Sequence, residues 1–119
     1  MQQFKKVLTP FLLTLAFASA PAFSNDCGAV PTTPELIKGA AATMEELVAN
    51  SQSVKAYIAE ADAYLDCNES FVKSEPFTAL APEEKQKVLD VNSKLLNDRN
   101  VIGEKFNEEV VAYKAANPQ

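Results

Sequence analysis

The sequence contains no histidine and no tryptophan, and only three glycines and two cysteines. Each shortage closes off a class of chemistry. Without histidine the chain lacks the commonest proton shuttle and metal ligand, and neither a Ser–His nor a Cys–His nucleophilic pair can be assembled. The glycines stand singly at Gly28, Gly39 and Gly103, so no glycine-rich loop is available to cradle a phosphate. Neither a Gly-x-Ser-x-Gly elbow nor an Asp-x-Asp-x-Asp-Gly calcium loop occurs. The acidic pairs Glu45-Glu46, Glu83-Glu84 and Glu108-Glu109 are adjacent along the chain rather than opposed across a cleft, and are read as solvated charge. The expectation is a protein that is not an enzyme, with no catalytic residue, no cofactor and no metal site.

Cations and long apolar runs are also scarce. Eleven Lys and Arg face sixteen Asp and Glu, a formal net charge of −5. Two of the lysines, Lys5 and Lys6, precede an apolar stretch from Val7 to Ala20, which is shorter than the about 20 residues a membrane-spanning helix needs. A positive start, a short apolar middle and small residues at cleavage spacing predict a secretory signal peptide over residues 1–24. Cleavage is expected after Ser24, with Ala20 as the alternative; Asp26 before Cys27 argues against lipidation. The mature chain then carries nine basic against sixteen acidic side chains, a net charge of about −7. Such a balance disfavours a phosphate backbone as partner and adsorption to anionic lipid. The reading is a periplasmic protein with no nucleic-acid partner and no membrane insertion after signal removal. Its expected partner is another periplasmic or envelope protein, or a second copy of itself in a homodimer.

Both cysteines, Cys27 and Cys67, lie in the exported portion, where an oxidising compartment favours a single structural disulfide. A redox-active pair would more often read Cys-x-x-Cys. Closing a loop of this size stabilises the fold by roughly 4 kcal/mol in the chain-entropy model. The pair also constrains geometry. Thr43-Met44-Glu45-Glu46 has the pattern of a capping box, so a helix is predicted from Thr43. Cys67 then lies about 36 Å along that helix, and the residues from Cys27 to Thr43 span about 50 Å if fully extended. Residues 25–42 are therefore predicted to run back along the helix as an extended strap, a path that Pro31 and Pro34 favour.

Two long helices are predicted, over about 43–73 and 82–116. In the first, Leu47, Val54, Ile58, Ala61, Leu65 and Val72 recur at helical spacing, with Ser51 and Asn68 in the gaps. Beside that seam runs a stripe of Tyr57, Tyr64 and Phe71. The stripe is either a contact face for a partner or the surface that the strap covers. Ser74-Glu75-Pro76 is expected to end the helix, and Phe77–Ala81 to form a short connection. Pro82 with Glu83 and Glu84 suits a helix start, and Val88, Val91, Leu95, Ile102, Phe106, Val110 and Tyr113 supply the second seam. Asn92 and Arg99 fall at or beside it, where polar groups fix register. The fold class is all-α: a long antiparallel helical hairpin of coiled-coil type with an extended N-terminal strap tied by one disulfide, preceded by a signal peptide.

The residues Cys27, Pro31, Pro34 and Gly39, followed by Ala42-Thr43-Met44-Glu45-Glu46, Val54-Lys55-Ala56-Tyr57 and Ala63-Tyr64-Leu65-Asp66-Cys67, resemble a group of small, uncharacterised exported proteins of proteobacteria. The likeness extends to Phe106-Asn107 and Ala112-Tyr113-Lys114. It implies a periplasmic location and a helical fold and brings no activity with it. Leu80-Ala81-Pro82-Glu83-Glu84 is similar to the helix starts of small periplasmic helical chaperones, which implies a chaperone-like form of protein binding.

Overall fold

The computed structural model describes residues 27–118. The signal peptide expected over residues 1–24, with both cleavage sites, lies outside them. Three helices follow one another, with no strand among the described residues: α1 Met44–Val72, α2 Glu75–Thr78 and α3 Pro82–Ala116. A short 3-10 turn, Gly39–Ala41, precedes α1.

Local chemistry sets the ends of the long helices. The Thr43 hydroxyl accepts from the Glu46 N–H at 3.1 Å, and the Glu46 carboxylate accepts from the Thr43 N–H at 3.0 Å. This closed capping box satisfies two donors that a helix start would otherwise leave bare. At the other long helix, Ala81 is extended and Pro82 occupies the first turn, where no N–H is required. Glu83 and Glu84 in that turn and Lys114 in the last one complement the helix dipole. Asn117 ends α3, its side chain and its backbone N–H both donating to the Tyr113 carbonyl at 2.9 and 3.0 Å.

The short connection contains one helical turn, α2, which begins before Phe77. The break falls at Ser74, whose backbone is extended, and Glu75 is already helical although it precedes Pro76. Pro76 sits early enough in α2 that its missing N–H breaks no helical bond. The Phe71 and Phe77 rings meet edge to face, with centroids 5.8 Å apart, and so fasten the one-turn helix to the end of α1.

α1 and α3 are antiparallel. Asn68 donates to Asn92 at 3.2 Å, and the Asp62 carboxylate binds the Arg99 guanidinium with two hydrogen bonds, so moving down α1 means moving up α3. These two polar pairs pin the register of the hairpin.

The buried residues of α1 are Asn50, Val54, Tyr57, Ala61, Tyr64 and Asn68, alternating steps of four and three; those of α3 are Val88, Leu95 and Ile102, seven apart. The seam of α1 is thereby corrected. Its centre combines Val54 and Ala61 with the tyrosines, while Leu47, Ile58, Leu65 and Val72 lie half-buried on one flank. A third element causes the shift. Cys27 and Leu36 of the strap pack against the cluster of Tyr57, Ala61, Tyr64, Leu95 and Ile102, burying the side of α1 that a bare two-helix hairpin would leave open. The strap is not laid along one helix. It runs in the groove between both, parallel to α3, from the disulfide at Cys67 to the seat of Gly39 on Glu109.

Candidate functional site: the two grooves of the hairpin

A pair of packed helices presents two grooves, one on each side of the contact line. Here the strap fills one and leaves the other open.

The strap is anchored mainly through its main chain. The Asn50 side chain accepts from the Ile37 N–H at 3.2 Å and donates to the Glu35 carbonyl at 2.8 Å. Asn50 is buried, and both ends of its amide are thereby satisfied. Two residues further on, the Gly39 N–H donates to the Glu109 carboxylate at 2.9 Å. Gly39 is buried against α3 so closely that an ideal Cβ on it would stand 1.8 Å from the Glu109 carbonyl oxygen. The N-terminal end of the strap is joined to α1 by the Cys27–Cys67 disulfide, Cα atoms 5.7 Å apart.

Tyr57 and Tyr64 of the aromatic stripe form the floor of this groove, only 3% and 5% exposed. Phe71 is separated from them, half-buried against Phe77 at the turn of the hairpin. The Tyr57 hydroxyl is buried and finds no hydrogen-bond partner among the described residues, a state that costs about 1–3 kcal/mol. Burial raises its pKa above the ordinary 10.0; Asp98 adds to the rise and Lys94 opposes it. A raised folded value means that the neutral phenol contributes stability below the unfolded pKa, which is lost as pH rises through the folded one. Stability of the native protein should therefore fall more steeply above pH 10.0 than that of Tyr57→Phe. Urea midpoints of both proteins from neutral to strongly alkaline pH test this; parallel curves would show that the phenol is not protected.

Two clefts flank the strap near Thr33. One of ≈ 310 Å³ is bordered by Pro34, Leu36 and Ile102, the other of ≈ 320 Å³ by Val30, Pro31 and Leu95, and both reach Asp98. Asp98 is held by Lys94 in an i, i+4 ion pair.

The open groove lies on the other side. Leu65 and Val72 of α1 face Leu89 and Leu96 of α3 across a cleft of ≈ 310 Å³, rimmed by Asp66, Glu69, Lys73 and Asn92. Leu89 and Leu96 are 41% and 47% exposed. Glu69 and Lys73 neutralise each other at 2.9 Å, which holds the Glu69 carboxyl below its usual range. The Asp62–Arg99 pair lies further along; its hydrogen bonds lower the Asp62 pKa and raise that of Arg99.

Asn50 and Glu109 were not singled out by the pattern of the sequence. Asn50 was detectable as a polar residue in phase with the buried heptad of α1. Glu109 reads as half of a solvated acidic pair; Glu108 is indeed exposed, but Glu109 is half-buried and bonded to the strap. Among the described residues no three His, Cys, Asp or Glu side chains gather as a metal site, and no helix is long and apolar enough to cross a membrane. Comparison with protein-family models, curated proteins and solved structures returns no match for the chain.

Proposed function

We propose that this is a non-enzymatic exported protein that binds the apolar face of an amphipathic helix from another envelope protein. The observation that carries the reading is the asymmetry of the grooves. The strap already fills one, whereas Leu65, Val72, Leu89 and Leu96 line an apolar trough left uncovered on the other. Helix-in-groove recognition uses anchors at i, i+3, i+4 and i+7 against such a trough. Export is supported by the signal-like leader and by the disulfide, which persists in oxidising compartments.

The test places a photo-crosslinker at position 96 of the oxidised chain in the envelope of the producing cell. One dominant adduct with another protein is expected, lost on Leu89→Asp, with the melting curve of that variant unchanged. Absence of an adduct, or an adduct indifferent to Leu89→Asp, would sink the reading. A second reading is motivated by the heptad spacing of Ile58, Leu65 and Val72 and of Leu89 and Leu96, which suits a four-helix bundle of two hairpins. Light scattering across a concentration series separates the two: a dimer dissociated by Leu96→Asp makes the partner a second copy. A chaperone-like form predicts slower aggregation of unfolded clients in the presence of the native protein and not of Leu89→Asp.

A further inference from the structure

The strap is held unevenly along its length. Its C-terminal end has the Asn50 clamp, the Glu109 hydrogen bond and the close seat of Gly39 on α3. Its N-terminal end has one covalent bond, Cys27–Cys67. Between these anchors, residues 28–34 make no main-chain hydrogen bond among the described residues. Pro31 and Pro34 have no N–H to give, and clefts of ≈ 310 and ≈ 320 Å³ open beside Thr33. Tyr57, in the cluster against which Cys27 and Leu36 of the strap pack, has a buried hydroxyl with no partner among the described residues. The closed middle thus forgoes both packing and a hydrogen bond, and the disulfide supplies the tethering that the middle lacks. Cys27 and Cys67 are both half-buried rather than fully buried.

We propose that the Cys27–Cys67 disulfide is a latch. Its reduction by a dithiol frees the N-terminal half of the strap, which swings away about the Asn50–Gly39 anchor. The groove floored by Tyr57, Tyr64 and Leu95 is then exposed while the hairpin stays folded. A thiolate of the dithiol attacks one cysteine sulfur, forming a mixed disulfide and expelling the other cysteine as thiolate. The second thiol of the dithiol then displaces the remaining cysteine. Two electrons and two protons pass to the protein, which ends with two free thiols, and the dithiol ends as its own disulfide. The hairpin keeps its register through Asn68–Asn92 and Asp62–Arg99, neither of which involves the strap. This device acts on the groove opposite the one assigned to partner binding, so either can fail without the other.

Dithiothreitol serves as the probe and the tyrosines as reporters, since the chain has three of them and no tryptophan. On reduction, second-derivative absorbance should report two more solvent-exposed tyrosines, with the helical circular-dichroism signal retained. The Cys27→Ser/Cys67→Ser double variant should show the same exposure without reductant. Tyr57→Phe removes the unpartnered hydroxyl, so in its reduced form Tyr64 should be less exposed than in the reduced native chain. Unchanged tyrosine spectra on reduction would overturn the proposal. So would loss of helicity together with tyrosine exposure, which would make the disulfide a support of the whole fold. Amide exchange of the oxidised protein gives an independent check. The amides at 28–30, 32 and 33 should exchange faster than those of Ile37 and Gly39, and the reverse order would overturn the latch.

Discussion

Leu95→Ala lowers the unfolding free energy by about 2–5 kcal/mol, whereas Leu96→Ala one position along changes it by less than about 0.5 kcal/mol. Leu95 is only 2% exposed and lies in a cluster of α1 and α3 residues against which the strap packs. Removing its isobutyl group forfeits burial and leaves a void that Tyr57, Tyr64 and Ile102 cannot all move to fill. The two clefts beside the strap set where in the range the loss falls: relaxation into them would bring it toward the lower end. Leu96 is 47% exposed on the open groove, so its truncation removes little buried area and acts on partner binding instead. Urea denaturation of the two variants measures the contrast, with slopes equal if both unfold as the native chain does. Equal losses for both would mean that the open groove is as well filled as the strap groove.

The second large effect is expected at a glycine. Gly39→Ala would place a methyl group 1.8 Å from the Glu109 carbonyl oxygen and 2.8 Å from its carbon. These are main-chain atoms of α3, and they cannot rotate aside as a flexible side chain would. The strap must lift instead, loosening the Gly39–Glu109 hydrogen bond and with it the seat of Leu36, at an expected loss of about 1–3 kcal/mol. Gly103→Ala should do the opposite. Beyond its chain neighbours and the backbone of its own helix, nothing lies within 4 Å of its added Cβ, and alanine in a helix interior is better than glycine by about 1 kcal/mol. Thermal or urea unfolding of the two variants reads out both signs. Stabilisation by Gly39→Ala would show that the strap does not rest on α3 as closely as described.

The parts of the fold that were legible in the sequence are those carried by short-range chemistry. The Thr43–Glu46 box, Pro82 at a helix start and Asn117-Pro118 at a helix end each act within a turn or two, and the helices begin and end where these residues stand. The disulfide was legible because only two cysteines exist to form it. What escaped depends on elements distant in sequence. Periodicity places Tyr57 and Tyr64 on one stripe and leaves both a partner and the strap as its cover; the strap, docked from a distant part of the chain, makes the two tyrosines core. The Gly39–Glu109 bond joins residues 70 apart, and nothing local to either announces it. The end of α1 before Ser74 was legible as well, though not its cause: the pre-proline residue Glu75 is itself helical in α2, and the extended backbone falls on Ser74.

The strap also imposes an order of events on a chain that emerges from its N-terminus. Residues 27–41 are made before either long helix, yet part of their seat is built from α3, since Glu109 must be present before Gly39 can bond to it. Asn50 and Cys67 become available earlier, so the nascent strap can meet its α1 contacts while half of its groove is missing. Docking can finish only when α3 has folded back along α1. A chain stopped before residue 109 would hold a strap with no place to end, even with its disulfide formed.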